Sequence, residues 1–271
     1  MINSTNRPTG KFSLSMFMLV IIFLYVPLVI LVAYSFNAGR TMAWEGFSLN
    51  WYHELFFSPR SERLWMSFKN SAIVAVTSAV FSTIIGTLGA IGLYWYKFRC
   101  KKAIQVATYI PMLVPEIIIG VSLMMLFVRI SLPLSLVTVF IAHITFNIPF
   151  VLLVVMARLE SFDYTIIEAA HDLGASEIKA LTKVILPVAF PGIISAFLIA
   201  ITLSLEDFVI TFFVAGPGAS TLPLYIHAAM TRSNPDVPTM LINALSLIVI
   251  AGTVILALLS RNVVKYMFQS K

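Results

Sequence analysis

The chain has 271 residues, of which 59% are hydrophobic and only 11% charged, and its mean hydropathy is +0.96. Soluble domains carry about 25% charged residues, so a soluble fold is excluded. Apolar runs long enough to cross a bilayer core of about 30 Å as helices exclude a β-barrel, whose strands alternate in short segments. The net charge of +6 does not signal nucleic acid, because the basic residues fall in short loops between the apolar runs, where membrane topology requires them.

Six spans are predicted, at approximately 12–36, 69–96, 103–129, 133–156, 192–214 and 239–260. The first follows Arg7 and Lys11 and is too long for the roughly 7–15-residue apolar region of a signal peptide, so it reads as a retained span. One set of loops and ends holds Arg7, Lys11, Lys97, Arg99, Lys101, Lys102, Arg158, Lys179, Lys183, Arg261, Lys265 and Lys271, twelve residues. The other holds six: Arg40, Arg60, Arg63, Lys69, Arg129 and Arg232. The first set is expected on the cytoplasmic side, and an even span count puts both termini there.

Between the first two spans, residues 37–68 hold Trp44, Trp51, Tyr52, Phe56, Phe57 and Trp65. Such a cluster serves either as an interfacial aromatic belt or as a gate or docking surface at the outer mouth, and Trp51 fits both. After the second span comes Cys100, the single cysteine, in "KFRCKK". It reads as a solvated loop thiol, since one cysteine makes neither an internal disulfide nor a metal site.

The third span contains "YIPMLVPEIIIG". Pro111 and Pro115 each delete a helix hydrogen bond, which predicts a kink and a cavity-lining break with Glu116 just after it. In the fourth span His143 and Asn147 share a helix face at i, i+4, and an interhelical polar contact is the leading reading.

Residues 157–192 form the longest cytoplasmic segment. Asp163 is a candidate N-cap for a helix through "YTIIEAAHDL", Gly174 suits its left-handed C′ position, and Ser176 is placed to cap a second helix through "EIKALTKVIL". Pro187 and Pro191 then punctuate the entry to the fifth span. This helix–glycine–helix elbow exceeds the 2–8 residues that usually join packed helices. Ala169, Ala170 and Glu168 suit a knob presented to a cytoplasmic protein, a structural amphipathic loop being the other reading.

The fifth span carries "ITLSLEDFVITFF". Glu206 and Asp207 here, with Glu116, are the acids within spans, and no lysine or arginine lies deep in any span. A charged acid at a bilayer midplane costs roughly 2.5–3.5 kcal/mol on insertion scales. A water-lined path for a cation offsets that cost. At about 100° per residue, Ser195, Thr202 and Glu206 make one stripe while Asp207 points away, so helical geometry favours Glu206. The bland alternatives are a neutral carboxyl bonded to a neighbouring helix, or a pair with a basic residue of another subunit. The chain then continues through the Gly/Pro-rich outer segment 215–238 to the sixth span. The sequence holds no nucleophile–base constellation and no phosphate-cradling glycine loop.

"EAAHDLGASEIKALTKVILP" resembles the EAA motif of ABC importer permeases: Glu168-Ala169-Ala170, Gly174, Val184 and Leu186-Pro187 stand at the family's spacing, with Val184 where isoleucine is frequent. "YVPLVILVAYSFN", "FSLNWY", "TLSLEDFVITFFVAGPG", "TLPLYI" and "NPDV" extend the resemblance to the second (PotC-type) permease subunit of spermidine/putrescine importers over nearly the whole chain. The resemblance implies an all-α, six-span, MetI-like type I permease in a bacterial inner membrane, with the elbow as a coupling helix. It implies four kinds of partner: the lipid membrane, a second and different permease, two cytoplasmic ATPases that hold ATP and Mg, and an extracytoplasmic polyamine-binding protein. This chain would hold no cofactor or metal and would catalyse no reaction. Such permeases carry an acidic pair at 206–207, usually with aspartate first, and an acid after the proline at 115. A permease for another organic cation, and a proton-coupled secondary transporter, are the competing expectations.

Overall fold

The protein is described by a computed structural model covering residues 11–41, 43–161, 165–231 and 239–269. Its described elements are helical: α1 (Lys11–Tyr34), α2 (Asn50–Phe57), a 3-10 turn (Pro59–Ser61), α3 (Glu62–Trp95), α4 (Lys101–Leu113), α5 (Glu116–Arg129), α6 (Leu136–Glu160), α7 (Thr165–Asp172), α8 (Glu177–Ala180), a π-helical turn (Leu181–Ile185), α9 (Leu186–Glu206), α10 (Val209–Val214), α11 (Leu222–Thr231) and α12 (Thr239–Gln269). In a bilayer every backbone polar group must be satisfied internally, and helices do this segment by segment. Arg7, Asp163, Arg232, Asp236 and Lys271 lie outside the described residues.

Four stretches are long and apolar enough to span a membrane: 12–34, 62–95, 136–160 and 177–206. The α4–α5 pair passes the same test as one segment bent by 105°, and Thr239–Ile255 is a shorter apolar helix. Six spans are counted only if the bent pair and α12 each contribute one. At 1.5 Å per residue, the 34 residues of α3 exceed what a bilayer core needs.

The chain divides into two compact units. The first comprises residues 1–62 and 232–259. In it, α1 leaves its apolar side chains exposed, and an ordered loop follows. Asn37 organises this loop: its Nδ2 donates to the carbonyls of Thr41 (3.3 Å) and Ala43 (2.7 Å), and its Oδ1 accepts from the N–H groups of Gly39 (3.2 Å) and Glu45 (2.9 Å).

The second unit comprises residues 63–231 and 260–271, and α3 and α6 run through both of its apolar clusters. Toward the elbow, Ala90, Val151, Val155, Leu159, Ile167, Ile185, Ala196 and Ala200 are buried together, joining α3, α6, α7 and α9. The other cluster joins α3, α5, α6 and α10 through Val74, Phe127, Val139, Phe146, Ile210 and Val214. Small residues allow the close approach that membrane helices need. A Cβ added at Gly86 would lie 2.6 Å from Val151 Cγ1, and one at Gly192 would lie 2.7 Å from Arg158 Cβ.

Three expectations are corrected here. The break in the third span falls at Pro115, just before Glu116 as expected, with Pro111 inside α4, but at 105° it is a turn of the chain and not a kink. Pro187 and Pro191 do not interrupt the chain. Helical structure continues from Glu177 to Glu206, because the π-helical turn lets the Leu186 N–H donate to Leu181 O, i to i−5, and widens the helix just before Pro187. The helix expected over 192–214 is divided, with α9 ending at Glu206 and α10 starting at Val209.

Candidate translocation site and coupling elbow

The three acids expected within spans, Glu116, Glu206 and Asp207, gather around two helix breaks in the second unit. Pro115 has an extended backbone (φ −54°, ψ 134°), ends the α4 register and makes Glu116 the first residue of α5. One turn on, Gly120 is buried against α10. A Cβ there would lie 2.8 Å from Phe213 Cδ2 and 3.3 Å from Ile210 Cα. This contact seats the start of α5 beside the start of α10 and brings Glu116 within electrostatic reach of Asp207 and Glu206. The sequence reading missed Gly120, although its i+4 spacing from Glu116 marked it.

Glu206 and Asp207 have opposite surroundings. Glu206 is the last residue of α9 and is exposed. Neither it nor the exposed Glu116 makes a hydrogen bond or ion pair among the described residues. Asp207 is 8% exposed. Its Oδ1 accepts from the Ile210 N–H (3.2 Å), and its Oδ2 accepts from the Thr211 N–H (2.9 Å) and hydroxyl (2.7 Å). His143 Nε2 lies 3.2 Å from the same oxygen. Asp207 therefore satisfies the free N–H groups at the start of α10, as an N-cap does.

His143 makes the interhelical contact read from sequence. Its Nδ1 lies 2.6 Å from Ser204 Oγ and its Nε2 lies 2.9 Å from Thr211 Oγ1. Asn147, on the same face, donates to Ala200 O at 3.3 Å. Ser204 and Thr211 were not singled out from the sequence, but their i−3 and i+4 spacing about Asp207 was the available signal.

Of the α9 stripe, Thr202 and Glu206 are exposed and Ser195 is half-buried. The hydroxyls of Ser195 and Thr202 donate within their own helix, to Pro191 O and Leu198 O (2.9 Å each). Trp51 belongs to the first unit. It is 3% exposed, and its Nε1–H donates to Asn37 O at 2.6 Å. Trp51 thus anchors the loop that follows α1.

Gly174 ends α7 as the sequence predicts. Gly174 has φ +80°; its N–H donates to His171 O (2.8 Å), and the Ala175 N–H donates to Ala170 O (3.0 Å). These two bonds make the Schellman termination. Ser176 occupies the N-cap position of α8, but its side chain makes no cap bond, which corrects the expected hydroxyl cap. Ile167 is fully buried and roots α7 in the core. Glu168 and Ala169 are exposed and Ala170 is half-buried, as is Leu186, while Pro187 is exposed. Leu173 and Ile178, flanking Gly174, are 89% and 74% exposed. The knob is anchored by Ile167 and presents apolar side chains outward.

A set of apolar helices of this kind, with helix breaks beside unpaired carboxylates and a helical knob between two spans, fits a multi-pass transport permease. The chain matches the family described as "Binding-protein-dependent transport system inner membrane component" over residues 82–269. It is 40% identical to the spermidine/putrescine transport system permease protein PotC of Haemophilus influenzae, covering 90% of this chain and 92% of that one. It is 35% identical to the putrescine transport system permease protein PotI of Escherichia coli, covering 88% and 87%. The fold resembles the crystal structure of a bacterial ABC transporter involved in import of the acidic polysaccharide alginate, with a TM-score of 0.76 over 95% of this chain and 94% of that one at 18% identity. The chain belongs to the binding-protein-dependent inner membrane permeases, with the MetI-like ABC importer fold.

Proposed function

We propose that this chain is one permease subunit of an ATP-driven importer for the polyamines spermidine and putrescine, forming half of the path through the inner membrane. The observation that carries this reading is the pair of exposed, unbonded carboxylates, Glu116 and Glu206, on adjacent helix breaks. A polyamine is a chain of ammonium groups on an apolar stem, and carboxylates in a wet seam replace the water such groups lose. The names of the PotC and PotI relatives support the same substrate class.

The passenger is delivered by an extracytoplasmic binding protein and moves between this chain and a second, different permease. Two cytoplasmic ATPases hold ATP and Mg and grip the elbow around Glu168–Gly174, whose exposed Leu173 and Ile178 supply apolar contact. Their closure rocks the spans. This chain contributes no catalysis and no cofactor, and both its termini lie in the cytoplasm.

The test is uptake of labelled spermidine and putrescine in cells carrying the complete transporter. The double variant Glu116→Gln with Glu206→Gln is expected to lose uptake of both while remaining assembled with its partners. Unchanged uptake overturns the reading. Failure of excess unlabelled polyamine to compete with the label overturns the substrate class.

A further inference from the structure

The two acidic neighbours in "LSLEDF" differ in what their oxygens already bind, and this separates their roles. Asp207 Oδ1 faces the backbone N–H of Ile210, and Oδ2 faces the backbone N–H of Thr211, the Thr211 hydroxyl and His143 Nε2. A carboxylate accepts only, so every neighbour must donate. The Thr211 proton is directed to Asp207, which leaves the Thr211 oxygen to accept, and His143 Nε2 therefore carries a hydrogen. On the far side of the ring, Nδ1 meets Ser204 Oγ, which lies 3.3 Å from Ser78 Oγ. One buried polar chain thus runs from α3 through α9 and α6 to α10, and it crosses the break at 206–209 from both sides. Glu206, one residue away, takes part in none of it.

We propose that Asp207 is a positioning residue. With His143 it forms a brace that fixes the α9–α10 break and so aims Glu206 into the path, and Glu206 with Glu116, not Asp207, meets the passenger's ammonium groups. This assignment rests on the transport reading above and divides its labour between the two acids. An ammonium ion reaching Asp207 would have to shed its water to enter a site that is 8% exposed, where one donor already faces Oδ1 and three face Oδ2. Glu206 offers its oxygens without such a cost.

The substitution Asp207→Asn is the discriminating one. The amide is nearly isosteric, but in either orientation its NH2 group faces a backbone N–H, that of Ile210 or that of Thr211, and neither can turn away. A carboxylate whose only task is to meet a cation would be replaced by an amide with no loss of stability. In the assembled transporter, Asp207→Asn and His143→Leu are each expected to lower the thermal midpoint. Their combination is expected to lower it by less than the sum, because they disrupt one network. Glu206→Gln is expected to abolish uptake with the midpoint unchanged.

The aim of residue 206 is read separately, on a Glu206→Cys chain in a Cys100→Ser background. Its rate of modification by a cationic thiol reagent is expected to fall about tenfold or more when His143→Leu is added, and to be largely kept with His143→Gln, which retains a donor. Should His143→Leu fail to assemble, the comparison of Glu206→Cys alone with Glu206→Cys plus Asp207→Asn replaces it. Loss of uptake in Asp207→Asn with an unchanged midpoint, or a modification rate indifferent to these changes, overturns the brace. Retained uptake in Glu206→Gln instead overturns the transport role of Glu206 and leaves the stability comparison standing as its own result.

Discussion

The indole N–H of Trp51 donates to the backbone carbonyl of Asn37 at 2.6 Å, and both residues are buried. Around this bond the Asn37 side chain ties the 37–45 turn, and the rings of Phe36 and Phe47 stack with centroids 5.3 Å apart. A loop between a span and a short surface helix is thereby given a fixed shape. Trp51→Phe keeps most of the apolar volume and leaves a buried carbonyl without its donor. The expected cost is ~1–3 kcal/mol, seen as a lower thermal midpoint in detergent. An unchanged midpoint would mean that water or another donor replaces the indole.

Two glycines two residues apart are expected to respond very differently to alanine. A Cβ on Gly216 would run into the backbone O and C of Leu134, atoms with no freedom to retreat. A Cβ on Gly218 would meet nothing within 4 Å, although φ there is +78°. Gly216→Ala should prevent accumulation of folded protein. Gly218→Ala should carry only the left-handed backbone cost of roughly 1–2 kcal/mol. Expression and thermal midpoints of the two variants, compared side by side, check this. Equal behaviour would contradict the close approach of the 216 backbone to the 134–135 turn.

Gly174 terminates α7 in the left-handed region, and no atom would obstruct its Cβ. Substitution there acts on backbone conformation and leaves packing alone. Gly174→Val is expected to distort the elbow and leave the bundle folded, so that ATP hydrolysis by the assembled transporter no longer rises when substrate is supplied. Gly174→Asn, which tolerates the same region, should retain more of that response. Uptake and ATPase rates measured on the same preparation decide it, and normal coupling in Gly174→Val would count against the elbow as the mechanical link.

Cys100 is exposed and is the single cysteine of the chain. If the basic loop 97–102 faces the cytoplasm, a membrane-impermeant maleimide should label it in inside-out vesicles and leave it unlabelled in intact cells. Labelling from the outer side would reverse the assigned topology. No second cysteine has to be removed before the experiment.

Much of this protein is legible in its sequence because lipid imposes a simple rule. Apolar helices must be long, basic loops must stay on one side, and a glycine in the left-handed region ends a helix. The helical class, the elbow about Gly174 and the setting of Glu116, Glu206 and Asp207 among apolar helical residues all follow from composition and spacing, which are properties of contiguous residues. What the tertiary structure alone decided is which groups face one another. Helical periodicity set Glu206 and Asp207 about 100° apart on one continuous helix, but the chain breaks between them and α10, and the break turns Asp207 inward to cap the next helix while Glu206 stays out. The partners of Asp207 come from α10 and from α6, with His143 64 positions away in sequence. No local pattern records such a meeting, because it is fixed by how α6, α9 and α10 pack and not by any residue's neighbours along the chain.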